Sequence, residues 1–94
     1  MDEEIKIAKD PNTSADMLEK LSDSPAVYIR ALIAGNKSSS ENILEKLSKD
    51  KERTVRWFVA NNTMASDETL LLLEKDIIEV IRDAAKQTRA RKAS

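Results

Sequence analysis

The chain has 94 residues with 17 acidic and 16 basic side chains, a formal net charge of −1, and neither Cys nor His. That composition removes disulfides, a thiol nucleophile, the common zinc ligands and the usual ligands of haem and iron–sulfur centres. With 40% hydrophobic residues, one Gly, two Pro and three aromatics, it describes a single helical domain whose core is built from Leu, Ile, Val, Ala and Met.

The amino-terminal segment Asp2–Lys9 opens on three acids, Asp2-Glu3-Glu4. Negative charge there suits the positive end of a helix dipole. The segment lacks the basic start and apolar middle of a signal peptide, and the longest uninterrupted run of large apolar residues, Leu70–Leu73, is far too short for a bilayer. A cytoplasmic protein is expected.

From Ala8 onward the chain repeats itself without a gap every 26 residues: Ala8–Ile33, Ala34–Val59 and Ala60–Ala85. Met17–Ser22 (MLEKLS) falls on Ile43–Ser48 (ILEKLS) and on Thr69–Glu74 (TLLLLE), while Ile29–Asn36 falls on Val55–Asn62 and Ile81–Thr88. Self-similarity at this period marks stacked supersecondary units. Residues 1–7 then read as an amino-terminal cap, the second half of an incomplete repeat, and 86–94 as a basic tail, all within one domain spanning 1–94.

Each unit begins with a turn signal and a hydroxyl able to cap a helix. Thr13 or Ser14 serves in the first, Ser39 or Ser40 in the second and Ser66 in the third, with acids following in the first turn. The first helices are predicted over Ala15–Ser22, Glu41–Lys49 and Asp67–Lys75. Met17, Leu18 and Leu21, then Ile43, Leu44 and Leu47, form their apolar stripes. In the third unit Leu71 and Leu72 replace charged residues, so that helix is apolar nearly all round. Either the carboxy-terminal helix covers it, or Leu70, Leu71, Leu72 and Leu73 form a patch for a partner or a homodimer.

The second helices are predicted over Ala26–Gly35, Arg53–Asn61 and Ile77–Arg89, with Pro25 at the first helical position. Their core stripe runs Ile29, Leu32, Ile33; then Val55, Phe58, Val59; then Ile81, Ala84, Ala85. Gly35, Asn36, Asn61 and Asn62 suit left-handed helix ends.

Asp23 with Ile29-Arg30, Asp50 with Val55-Arg56 and Asp76 with Ile81-Arg82, joined to Ala34-Gly35-Asn36, Ala60-Asn61-Asn62, Asp10-Pro11-Asn12-Thr13, Leu18/Leu21 and Leu44/Leu47, resemble the leucine-rich repeat variant family and, more widely, HEAT and armadillo repeats. The resemblance spans about residues 4–88. It implies an all-α fold, a right-handed α-solenoid of about three two-helix repeats plus an amino-terminal half repeat, and implies no activity. Lys37 and Thr63 depart from it by replacing the turn proline seen at Pro11.

Enzyme chemistry finds no foothold. Proton transfer would rest on scattered carboxylates, Lys or Tyr28, Gly35 stands alone without a phosphate loop, and no cofactor is expected. The regular row Arg30, Arg56, Arg82 reads either as a structural ladder reaching the preceding aspartates (Asp23, Asp50, Asp76) or neighbouring carbonyls, or as a cationic row for phosphates or an acidic protein. Trp57, the only Trp, stands where the other units have Ala31 and Asp83, away from the Val55–Val59 stripe. It packs between repeats on Tyr28 or an Arg, or it contacts a partner. Trp beside Arg is typical of interface hot spots.

A helical-repeat adaptor for another protein is therefore the first functional expectation, with Val27, Arg53, Trp57 and Asn61 as contact residues. The alternative is nucleic-acid binding through Arg53, Arg56, Arg82, Lys86, Arg89, Arg91 and Lys92, against which stands a sequence pI near 5.5. A structural homodimer through Leu70–Leu73 is the third.

Overall fold

The computed structural model describes residues 2–94, which hold seven helices and no strand. They are α1 (Asp2–Lys9), α2 (Ala15–Leu21), α3 (Val27–Gly35), α4 (Glu41–Leu47), α5 (Arg53–Ala60), α6 (Asp67–Leu73) and α7 (Glu79–Ala93). The odd-numbered helices stack in chain order, α1 on α3, α3 on α5 and α5 on α7. Among the described residues no helix is long and apolar enough to cross a membrane.

Helices of seven residues do not persist alone in water, so α2, α4 and α6 depend on caps and packing. Ser14, Ser40 and Ser66 are their N-caps and accept from the amides of Met17, Ile43 and Thr69 at 3.3, 3.2 and 3.1 Å. The neighbouring hydroxyls do a different job. Thr13 and Ser39 donate backward to the Ile7 and Ile33 carbonyls at 2.6 Å, satisfying the end of the preceding helix. Ser22 and Ser48 close α2 and α4 by donating to the Glu19 and Glu45 carbonyls.

One core runs through the described residues. Leu18, Ile29, Ile33, Leu44, Val55, Val59, Leu70 and Ile81 are essentially inaccessible, as are Ala8, Ala34, Ala60 and Ala85. Burying an aliphatic side chain of this size contributes roughly 1.5–3 kcal/mol. Ala8, Ala34 and Ala60, buried near the ends of α1, α3 and α5, let the stack close tightly. At Gly35 an added Cβ would lie 3.0 Å from the Phe58 ring, so Gly here makes room for an aromatic ring that neither flanking unit carries.

Several expectations need correction. The first and third of the second helices start later than predicted, at Val27 and Glu79, with Ala26 and Ile78 as extended N-caps and Pro25 before the cap, whereas α5 starts at Arg53 as predicted, after Glu52. No described residue has a positive φ, so Gly35, Asn36, Asn61 and Asn62 are not left-handed. The segment 86–94 is no separate tail, because α7 continues to Ala93 with Thr88 fully buried. It lies along α6, held by Arg89 on Glu74 (2.6 Å) and Lys92 on Asp67 (3.2 Å). Leu70–Leu73 is not one patch: Leu70 and Leu73 belong to the core, while Leu71 and Leu72 are exposed.

Candidate functional site

The site is best built outward from the polar residues that tie the stack together. Asn36 donates Nδ2 to the Ala8 and Asp10 carbonyls at 2.8 and 3.1 Å, and its Oδ1 accepts from the Ser38 amide at 2.9 Å. Asn62 repeats this one unit on, donating to the Ala34 and Asn36 carbonyls at 2.8 and 3.1 Å and accepting from the Met64 amide at 2.9 Å. Both side chains are buried, so each replaces the water that a helix end would otherwise need. Sequence reasoning took these residues for helix-terminating backbone. Their recurrence at the same register was the available signal.

The arginine row is the second tie. Arg30 grips Asp50 through Nε and Nη2 at 2.8 and 3.3 Å, and Nη1 donates to the Ser24 carbonyl at 2.8 Å. Arg56 grips Asp76 at the same two distances and donates to the Asp50 carbonyl at 2.9 Å. Each Arg thus reaches the aspartate twenty residues ahead, not the preceding one. From the preceding turn it takes only a carbonyl. The register also corrects Asp23: the residue equivalent to Asp50 and Asp76 is Ser24, whose hydroxyl accepts from the Ala26 amide, and Asp23 lies exposed against Lys46.

Burial alone would push the Asp50 and Asp76 carboxyls up. The hydrogen bonds from Arg30 and Arg56, with amides of Glu52 and Ile78 aimed at the same carboxylates, outweigh it and hold both below the usual carboxylate range. Arg89 lowers Glu74 in the same way.

With these residues committed to the stack, the outward face of α5 and α7 remains. Trp57 is 40% exposed and meets Phe58 edge-on, ring centroids 5.2 Å apart at 88°. Phe58, rather than Tyr28, is its aromatic neighbour. Trp57 forms one wall of a shallow depression of ~220 Å³ with Arg53, Thr54, Ile78, Val80 and Ile81. On its other side Trp57 and Asn61 border a second depression of ~430 Å³, reaching Gly35, Lys37 and Arg91. The Asn61 amide nitrogen donates to the Trp57 carbonyl at 2.9 Å.

Of the four expected contact residues, Arg53 and Trp57 lie on α5 and Asn61 is its C-cap. Val27, 37% exposed at the start of α3, lines neither depression. Ile78 and Val80 were missed, although the signal was present: they stand where the middle unit has Glu52 and Thr54.

The expected nucleic-acid contacts are dispersed. Arg56, Arg89 and Lys92 are in ion pairs, Arg82 donates to the Asp76 carbonyl, and Arg91 donates to Thr88. Lys86 enters no ion pair among the described residues and lines a cleft together with Glu41, Asp67 and Glu68. No group of three acidic side chains among the described residues is arranged to hold a metal ion.

No family model, curated protein or solved structure matches the chain.

Proposed function

We propose that this protein is a small helical-repeat adaptor of the leucine-rich repeat variant or HEAT-like kind, binding another protein through the outward face of its second helices. The observation that carries the reading is Trp57. A lone Trp left two-fifths exposed, walled by Ile78 and Val80 and flanked by the Arg53 guanidinium, offers an aromatic anchor with an apolar floor and a cation at its rim. Such anchors supply most of the binding energy in protein interfaces. The solenoid reading rests on the same residues that tie the units, the Asn36/Asn62 and Arg30/Arg56 series.

The nucleic-acid alternative is less well supported, because most of its cations already have carboxylate or carbonyl partners, and a phosphate would have to compete for them. A homodimer through Leu71 and Leu72 keeps a smaller exposed surface than four leucines would.

The reading is tested by affinity capture with the wild-type chain beside Trp57→Ala/Arg53→Ala and Leu71→Asp/Leu72→Asp. The expected outcome is a partner retained by the wild type and the leucine variant and lost by the Trp57/Arg53 variant. A partner that survives loss of Trp57 and Arg53 overturns the assignment.

A further inference from the structure

Arg82 occupies the register of Arg30 and Arg56, and it keeps half of their contacts. Its Nη1 donates to the Asp76 carbonyl at 2.7 Å, just as Arg30 and Arg56 donate to Ser24 and Asp50. In the other two arginines the Nε–Nη2 edge then grips a carboxylate from the next turn; in Arg82 that edge meets no carboxylate among the described residues. The planar fork is built for two parallel bonds to one carboxylate. Beside it Ile77 is 86% exposed.

The opposite end of the stack carries the complementary chemistry. Position 4, in the register of Arg30, Arg56 and Arg82, is Glu4, and the exposed first turn of α1 is Asp2-Glu3-Glu4. Helix α1 packs on α3 as α5 packs on α7, so its acidic turn lies at the same end of the odd helices as the arginine row. The charge of the whole chain follows this division. Residues 1–52 hold eleven acids and eight bases, net −3, and residues 53–94 hold six acids and eight bases, net +2.

We infer that the open edge of Arg82 is a carboxylate socket for a second copy of this chain, filled by the acidic first turn of that copy's α1. The contact is head to tail. It uses different surfaces on the two copies, so it leaves one socket and one acidic turn unused and adds further copies as concentration rises. It does not involve Trp57, and the two proposals stand or fall separately.

Sedimentation velocity over a concentration series, at low and high salt, tests the inference with three proteins: wild type, Arg82→Gln, and Asp2→Asn/Glu3→Gln/Glu4→Gln. The wild type is expected to grow in mean mass with concentration at low salt and to revert toward monomer at high salt. Each variant alone is expected to associate at least about tenfold more weakly, the loss of one charge-assisted bidentate contact. Mixed in equal amounts, the two variants retain one working socket and one working turn, and their assembly is expected to stop at two chains. The inference is overturned by a wild type that stays monomeric throughout, by an Arg82→Gln protein that associates like the wild type, or by a mixture that fails to pair.

Discussion

Helices α5 and α7 hold the same place in the internal repeat and meet different surroundings. Helix α5 lies between α3 and α7, its Arg56 gripped by Asp76 and its Asn61-Asn62 end tied into the turn below. Helix α7 packs mainly on α5 and α6. It shrinks its core stripe to Ile81, Ala84 and Ala85 and runs to 15 residues where α5 has 8. The extra length is held by departures from the repeat: Glu74 replaces the Ser22/Ser48 cap and binds Arg89, and Asp67 binds Lys92. Residues that recur hold one unit to the next. Residues that break the pattern either hold the extra length of α7, as Glu74 does, or face outward, as Trp57 does.

The difference can be broken most severely at the asparagines. Asn62→Ala strands the Ala34 and Asn36 carbonyls in a buried place and removes the acceptor of the part-buried Met64 amide, and a loss of about 2 kcal/mol is expected. Asn61→Ala, one residue away and exposed, should cost less than about 0.5 kcal/mol. Urea denaturation of the pair measures both; equal losses would show that the buried amide is not a tie.

The arginines sharpen the same contrast. Arg56→Met leaves the Asp76 carboxylate, 8% exposed, without its partner, and should cost about 2 kcal/mol. Arg82→Met strands no paired carboxylate and should cost under about 1 kcal/mol. Acid supplies an independent check. The folded Asp50 and Asp76 carboxyls titrate below their unfolded value, so their contribution is full above about pH 4 and is lost as pH falls through the lowered folded values. The wild type should therefore lose stability more steeply in that range than Asp50→Asn/Asp76→Asn, followed by circular dichroism.

The smallest effect is expected at Lys46, whose pairs with Glu19 and Asp23 at 2.7 and 3.1 Å lie in solvent. Lys46→Ala should change stability by less than about 0.5 kcal/mol, within the range of exposed ion pairs.

The helices, the serine caps and the apolar stripes were legible because they follow from local spacing. Ser66 announces itself by position, Ser14 and Ser40 only as one of two adjacent hydroxyls, and Leu18, Leu44 and Leu70 by period. The ties between units were not legible in the same way. Register identifies Arg30 and Arg56 as equivalent, but not whether each looks back or ahead, since that depends on the distance between stacked turns. The same holds for Asn36 and Asn62, whose side chains act across a whole unit while their place in the chain suggests a local helix end. At the candidate site, Trp57 and Arg53 were visible as exceptions. Ile78 and Val80 join them only because α7 lies against α5.

Since Trp57 is the only Trp, its emission reports the proposed interface directly. Titrating the wild-type chain with a protein captured by it, while following that emission and its quenching by acrylamide, is the most direct measurement. The account predicts a shift to shorter wavelength and protection from the quencher that saturate together, with both abolished by Arg53→Ala/Ile78→Ser/Val80→Ser. Saturable binding that leaves the Trp57 emission and its quenching unchanged would contradict it.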